Sequence, residues 1–219
     1  MASQTIENYL KAFYYGMDSN GNVNVSDLAQ HLKVSMPTVN SMVKKLNEMG
    51  LVVYEKYKPL RLTEAGLKYA SSVIRKHRLT EMFLVEKMGF GWEEVHDVAE
   101  QIEHIQSELF FDRMDSQLGY PEFDPHGSPI PDKNGRLPDV NFPALVDCME
   151  GDTVTLKAIS ESDDSFLRFL NDRNLALGDT LHVINKEPFD NSITVETPGG
   201  KSLIFSEKVG LRLLVDKRT

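Results

Sequence analysis

The chain has 219 residues, a net charge of −9, 41% hydrophobic residues and a single cysteine. This length and apolar content indicate two or three compact units with substantial cores. Charged residues interrupt the apolar runs, which argues against a membrane-spanning helix. A single cysteine, Cys148, excludes an internal disulfide framework and a CxxC zinc site, as is typical of a reducing compartment. We therefore expect a soluble cytoplasmic protein.

Charge is distributed unevenly along the chain. Residues 1–80 contain 11 Lys and Arg against 6 Asp and Glu, a net charge of +5, whereas the remaining residues have a net charge of −14. Because binding to phosphates follows the local field more than the total charge, this asymmetry is consistent with a basic nucleic-acid-binding segment joined to an acidic body.

The first 50 residues have the pattern of three helices. Apolar residues recur at three- and four-residue intervals over 5–17, which predicts an amphipathic helix. Two further helices are predicted over 26–32 and 35–49, with Ser26 and Ser35 as candidate N-caps. Two short helices joined by a tight turn predict a helix-turn-helix.

A basic hairpin follows these helices. The segments 51–54 and 60–62 flank a lysine-containing tip and predict the wing of a winged helix. Hydroxyl and amide groups on the outer face of the third helix can reach base edges, and lysines can neutralise phosphates, although a solvated polar face has the same composition. The candidate residues from this pattern are Thr38, Asn40, Ser41, Lys44, Lys56 and Lys58.

The middle of the chain is predicted to be helical. Thr63 is a candidate N-cap of a long helix over 64–88, and glycines separate it from a helix that begins near Trp92 and extends to about Glu103. A further apolar stripe runs over 110–118. The total apolar helix surface then exceeds what a lone winged helix must bury, which predicts a helical dimerisation domain.

The last part of the chain changes character. Residues 120–143 are rich in Pro, Gly and Asp and predict a loop, and the short apolar runs beyond it predict strands with one helix near 165–172. We therefore predict an α+β protein. Its parts are an N-terminal winged helix-turn-helix over 1–72, a helical dimerisation and metal-binding domain over 73–143 and a small β-barrel over 144–219.

Histidines and carboxylates recur at helical spacing. His77 and Glu81 are four residues apart, and Glu100, Glu103 and His104 also converge on one helix face. Crowded carboxylates repel one another, and a bound dication removes that cost. Mixed nitrogen and oxygen donors suit a divalent transition metal, although acidic helix faces are often simply solvated.

Four features taken together resemble the DtxR/MntR family of metal-dependent repressors over nearly the whole chain. The features are the winged helix, His77-Arg-Leu-Thr-Glu-Met-Phe-Leu84, Val95-His-Asp-Val-Ala-Glu-Gln-Ile-Glu-His104 and Ser128-Pro-Ile-Pro131. The C-terminal barrel looks like the FeoA-type domain of longer members. The resemblance implies a homodimer that binds double-stranded operator DNA when loaded with metal, and we expect it to repress metal-uptake genes.

The resemblance implies a regulatory metal site formed by Asn8, Glu100, Glu103 and His104. Iron-type members usually have Cys at the position of Glu100, and manganese-type members have Glu. A hard carboxylate oxygen favours Mn²⁺, with Fe²⁺ as the alternative. Asn8 stands where Asp is usual, and Lys11 stands where short manganese-type members have Glu, which argues against their closely spaced two-metal site.

The resemblance also implies an ancillary metal site. In longer manganese-type members this site joins two residues of the long helix to a Cys-Pro-His-Gly loop and to an acidic residue of the barrel. Here the loop is Asp124-Pro-His-Gly127, so that a carboxylate replaces the thiolate. The implied ligands are His77, Glu81, Asp124, His126 and either Asp163 or Asp164, with His96 ligating or lying nearby.

For DNA binding, the resemblance points to the start of the third helix, at Ser35, Pro37, Thr38 and Ser41.

Two other functions stay open. One is a metal-dependent hydrolase, although the sequence lacks HExxH and any nucleophile motif. The other is a winged-helix regulator that senses a small organic molecule.

Overall fold

The computed structural model describes residues 4–56, 58–197 and 199–217. They divide into two compact units, each assembled from three stretches of chain. The first unit comprises Met1–Thr80, Ala99–Tyr120 and Ile130–Leu137, and the second comprises Glu81–Val98, Pro121–Pro129 and Pro138–Thr219. None of the helices within the described ranges is both long and apolar enough to cross a membrane.

Three helices open the first unit. They are α1 Gln4–Tyr15, α2 Val25–His31 and α3 Met36–Glu48. Their apolar faces meet in one core, which includes the fully buried side chains of Leu10, Phe13, Leu28 and Leu46. The predicted helix-turn-helix is therefore confirmed, because the apolar spacing of each helix turns one face inward.

The starts of α2 and α3 differ from each other in how they are capped. Ser35 caps α3 as predicted, since its side chain accepts a hydrogen bond from Thr38 N at 3.3 Å. Ser26 does not cap α2. The N-cap is Asn24, whose carbonyl accepts from Leu28 N at 3.2 Å, so Ser26 already lies in the first turn.

The predicted wing is present as a short antiparallel hairpin. Its strands are β1 Val52–Val53 and β2 Arg61–Leu62. Tyr57, in the tip, lies outside the described residues. Thr63 Oγ1 caps the next helix as predicted by accepting from Gly66 N at 3.0 Å. A Cβ on Gly66 would lie 1.9 Å from Leu51 O, so glycine is required where this helix packs on the wing.

Three helices follow the wing. They are α4 Glu64–Met88, α5 His96–Ile102 and α6 Glu108–Leu118. The prediction that α5 begins near Trp92 is wrong, since the helix begins four residues later. The intervening segment is a turn in which Glu94 N donates to Gly91 O at 3.0 Å. Residues 120–143 contain no helix or strand, as predicted.

A five-stranded antiparallel sheet forms the C-terminal part of the second unit, in the order β6-β5-β4-β3-β7. Its elements are β3 Thr153–Ile159, α7 Asp164–Asn171, β4 Thr180–Lys186, β5 Ile193–Glu196, β6 Ser202–Phe205, α8 Glu207–Gly210 and β7 Leu213–Lys217. Cys148 lies in the core against this sheet, and burial raises the pKa of its thiol. The predicted α+β class, with its sheet domain at the C-terminus, is confirmed.

Candidate metal centres

In the first unit a lysine on α1 lies between two carboxylates from the end of α5. The Lys11 ammonium donates to both carboxylate oxygens of Glu103, at 2.9 and 2.8 Å, and to Glu100 Oε1. Glu103 is 0% exposed. Burial disfavours the ammonium, but the two carboxylates outweigh that effect and raise the pKa of Lys11 above its ordinary value. A positive charge is therefore built into this cluster.

Two histidines flank Glu103. His77 Nδ1 on α4 lies 2.7 Å from Glu103 Oε2, and His104 Nε2 lies 3.8 Å from Glu103 Oε1. Glu7 on α1 lies 2.6 Å from His104 Nδ1. Because an ionised carboxylate only accepts hydrogen bonds, the Nδ1–H of His104 donates a hydrogen bond to Glu7, and Nε2 is the nitrogen available to a metal ion.

Our sequence interpretation missed Glu7. This buried carboxylate accepts hydrogen bonds from Gln106 Nε2 at 2.8 Å and from the Tyr69 hydroxyl at 3.1 Å. Burial and the charge of Glu7 together raise the pKa of Tyr69 to about 12. A signal was present in the sequence, since Glu7 adjoins Ile6 and lies one turn from Leu10 on the apolar face of α1, where a charge needs partners.

The cluster in the first unit fits a divalent metal ion. His77, Glu100 and Glu103 each offer a ligand atom within 4.8 Å of the others. Asn8 Oδ1 is buried and has no hydrogen-bond partner among the described residues. An orphaned amide oxygen costs free energy that a cation would recover. His77, Glu100 and Glu103 thus form a candidate donor group with His104 beside it, and the part of Asn8 as a further ligand stays a prediction.

A second cluster lies within the second unit. Glu81, Asp124 and His126 are buried and each offers a ligand atom within 4.8 Å of the others. His126 Nδ1 lies 3.7 Å from Glu81 Oε2 and 3.9 Å from Asp124 Oδ1. Burial disfavours the protonated ring, but both carboxylates outweigh it and raise the pKa of His126. Two acids and an imidazole at this spacing also fit a divalent ion.

The loop that contains Asp124 and His126 is held in one conformation by its backbone. Asp124 Oδ1 accepts from the N–H groups of His126 and Ser128, at 2.8 and 2.9 Å. Gly127 has φ +84°, and a Cβ there would lie 2.3 Å from Lys157 O on β3. Glycine is therefore required for the loop to approach the sheet this closely.

The ring of His126 is oriented by Trp92. His126 Nε2 lies 2.8 Å from Trp92 O, and the two rings stack with centroids 6.2 Å apart. Because a carbonyl oxygen only accepts, Nε2 bears the proton and Nδ1 faces Glu81 and Asp124. Trp92 is itself held by a 2.8 Å hydrogen bond from Nε1 to Asn171 Oδ1.

The other residues predicted for this site are not members of its three-residue group. His96 Nδ1 is 3.4 Å from Glu81 Oε1, and its side chain is 58% exposed. Asp163 caps α7 and pairs with Arg212 at 2.6 Å, and Asp164 is exposed in the first turn of that helix. Within the described ranges neither aspartate belongs to a metal-ligand group, so their role stays a prediction.

The predicted DNA-binding residues lie on α3 and the wing. Val39, Val43 and Leu46 of α3 face the core, which leaves the opposite face of the helix to solvent. Lys58 pairs with Glu55 at the tip of the wing. The exposed candidates are Ser35, Pro37, Thr38, Ser41, Lys44, Lys56 and Lys58, and Asn40 is partly buried.

Three family models match successive parts of the chain. Residues 1–60 match the N-terminal DNA binding domain of iron dependent repressors. Residues 63–132 match the metal binding and dimerisation domain of the same repressors, and residues 144–216 match the FeoA domain.

Relatives of known name include an iron-dependent repressor and an HTH-type transcriptional regulator. The iron-dependent repressor IdeR of Mycobacterium tuberculosis is 38% identical over 127 residues, which are 58% of this chain and 55% of IdeR. The chain thus spans about half the length of that relative. The HTH-type transcriptional regulator MntR of Bacillus subtilis is 34% identical over 124 residues, which are 57% of this chain and 87% of MntR.

Solved structures match over almost the full chain. A manganese-dependent transcriptional repressor in complex with manganese is 34% identical with a TM-score of 0.88, covering 97% of this chain and 100% of that chain. The apo form of the manganese-activated repressor ScaR is 32% identical with a TM-score of 0.78, covering 96% of this chain and 100% of that one.

Proposed function

Because the chain belongs to the family of iron-dependent and manganese-dependent transcriptional repressors, we propose that it is a homodimer that binds operator DNA when loaded with Mn²⁺. One observation carries this function. A single buried cluster joins α1, in the DNA-binding segment, to the end of α5 in the helical segment. A site that bridges these helices can bias the orientation of the DNA-binding segment.

In this proposal Asn8 on α1 holds the ion together with Glu100, Glu103 and His104. A divalent ion bound there supplies one multidentate link between α1 and α5. Glu7 orients His104 by accepting a hydrogen bond from its Nδ1–H, which leaves Nε2 as the metal ligand. By linkage, operator DNA then tightens metal binding by the same factor by which metal tightens DNA binding.

Donor chemistry favours manganese, with iron as the second candidate. The site offers carboxylate and amide oxygens with imidazole nitrogen, which suit Mn²⁺ and Fe²⁺. The single cysteine of the chain, Cys148, lies in the core of the second unit and adds no thiolate. Fe²⁺ remains the competitor because the relative IdeR is iron-dependent.

We assign Glu81, Asp124 and His126 as a second metal site, with His96 at its rim. The hydrogen bonds of Asp124 and the close approach of Gly127 to β3 pre-organise this loop. Pre-organised ligands lose little conformational entropy on binding, so an ion bound here further stabilises the second unit.

The exposed face of α3 is proposed to enter the major groove, with Lys56 and Lys58 of the wing near phosphates.

The first unit also exposes large apolar side chains at Ile105, Leu109 and Phe110. A surface of this kind suits the dimer contact, which would place two copies of α3 about 34 Å apart on DNA. Such a regulator is not an enzyme, and it works in the cytoplasm, with the DNA.

The test is a titration of the full-length protein against genomic DNA fragments selected for binding. EDTA, Mn²⁺, Fe²⁺ under anaerobic conditions, Zn²⁺ and Mg²⁺ are compared in parallel. We expect Mn²⁺ or Fe²⁺ to tighten binding at least tenfold, about 1.4 kcal/mol of coupling. Glu103→Gln should abolish the effect, and Glu86→Gln, at an exposed position on α4, should not.

Two results of this titration are decisive. DNA binding that ignores every metal would contradict the proposal and favour a regulator that senses a small organic molecule. A greater effect of Fe²⁺ than of Mn²⁺ would keep the metal-gated mechanism and change the metal.

A further inference from the structure

Lys11 occupies the centre of the first cluster. Its ammonium contacts both oxygens of Glu103 and one oxygen of Glu100, and the residue is 9% exposed. All three contacts are charge-assisted hydrogen bonds of the strong class. An ammonium group cannot bind a metal ion, because it has no lone pair. The chain therefore directs a cation that cannot be a ligand at two of the carboxylates proposed as ligands.

The charges around Glu103 explain why such a cation is needed. Glu103 is fully buried and Glu100 is half-buried, and an unpaired buried carboxylate is costly. Asn8 Oδ1 lies buried without a hydrogen-bond partner among the described residues, and because an amide oxygen only accepts, it gives the carboxylates no hydrogen bond. The Lys11 ammonium thus stabilises the acids by the same electrostatic attraction that a metal ion would provide.

We propose that Lys11 is a built-in competitor of the metal ion, which sets the metal concentration at which the site fills. This inference rests on the proposed function of Glu100 and Glu103 as metal ligands. When no metal is bound, Lys11 neutralises these acids and stabilises the contact between α1 and α5. A divalent ion fills the site only by displacing Lys11 from Glu103, so that the affinity measured is the intrinsic affinity reduced by the strength of the lysine contacts.

The experiment compares the full-length wild type with Lys11→Met, Lys11→Gln and Lys11→Arg. Lys68→Met, on the exposed surface of α4, is the matched control. Thermal unfolding is measured in EDTA, and Mn²⁺ affinity is measured by competition with a chelating dye. Each variant is also combined with His126→Ala, which disables the second cluster and leaves the first as the site measured.

Removal of the positive charge should change the melting temperature in EDTA and the Mn²⁺ affinity in opposite directions. Lys11→Met and Lys11→Gln should lower the melting temperature in EDTA, because the acids lose their cation. The same variants should raise Mn²⁺ affinity about tenfold or more, because the competitor is gone. Lys11→Arg, which keeps the charge, and Lys68→Met should resemble the wild type in both measurements.

Three outcomes would overturn the inference. If Mn²⁺ affinity falls in Lys11→Gln, Lys11 positions the ligands and does not compete. If neither affinity nor melting temperature changes in any folded variant, Lys11 has no role in the site. If the wild type itself binds neither Mn²⁺ nor Fe²⁺, both the proposed function and the competition by Lys11 are wrong. If the wild type binds metal but the Lys11 variants do not bind it more tightly, only the competition is wrong.

Discussion

One histidine of each cluster, His104 in the first and His126 in the second, faces the acids proposed as metal ligands with the opposite ring nitrogen. In the first unit the Glu7 carboxylate binds His104 Nδ1 at 2.6 Å, and Nε2 faces Glu103. In the second unit the Trp92 carbonyl binds His126 Nε2 at 2.8 Å, and Nδ1 faces the acids. A side chain orients the first histidine and the backbone orients the second. Single substitutions can therefore retune the first cluster, whereas the second depends on how its loop packs.

The clusters also differ in the source of their positive charge. Lys11, on α1, provides it in the first cluster. In the second cluster burial lowers the pKa of His126, but Glu81 and Asp124 outweigh that effect, so the imidazole of a proposed ligand is more readily protonated than usual. Two clusters of similar composition thus stabilise their buried acids in different ways.

The largest effect is expected from Glu103→Gln, which removes the acid shared by Lys11 and His77. The buried ammonium then keeps only Glu100 as a charged partner, so the free energy of unfolding in EDTA should fall by about 3 kcal/mol. Urea unfolding measures this loss. Glu86→Gln should change stability by less than about 0.5 kcal/mol. Equal stability of the two variants would mean that the Lys11 contacts contribute nothing net.

The second cluster should instead be sensitive to its loop backbone. Gly127→Ala introduces both a strained φ and a clash with Lys157 O, and we expect it to lower the free energy of unfolding by about 2–4 kcal/mol. Gly151→Ala is the matched control, because Gly151 has φ +89° and open space around its Cβ position. Its cost should be about 1 kcal/mol. Similar losses in both variants, measured by urea unfolding, would show that the close approach to β3 is unimportant.

Glu7→Gln tests the orientation of His104 by a side chain. A neutral amide holds the Nδ1 proton less strongly, so Mn²⁺ affinity at the first cluster should fall about tenfold, about 1.4 kcal/mol. Calorimetric titration in the His126→Ala background isolates that cluster. In the Glu103→Gln background, binding at the second cluster should be unaffected by Glu7→Gln. A loss at both clusters would contradict the separate orientation of the two histidines.

The smallest expected signal comes from the single tryptophan, Trp92. Its ring stacks on His126, so Mn²⁺ bound to the second cluster should change its fluorescence emission. Emission is recorded during Mn²⁺ titration of the wild type and of two variants. His126→Ala should remove the response, and Glu103→Gln should retain it. The reverse pattern would place the responsive metal at the first cluster.

Local patterns in the sequence were sufficient for most of the secondary structure. Helical spacing identified α1, α3, α4 and α6, and Thr63 and Ser35 cap helices as predicted. The errors lie at boundaries. The N-cap position of α2 falls at Asn24 and not at Ser26, because either residue type is common at N-caps and the backbone of the preceding turn sets where the helix starts. The late start of α5 follows from a turn at Gly91 that helical periodicity does not detect.

The candidate sites combine residues that are close in sequence with residues that only folding brings together. Helical periodicity placed Glu100, Glu103 and His104 together, because residues three and four apart share a face. The neighbours of those residues come from distant parts of the chain. Lys11 meets Glu103 from 92 residues away, and Glu7 meets His104 from 97 residues away. Such contacts depend on how whole helices pack, so only the folded chain decided which cation neutralises the acids and which nitrogen each histidine presents.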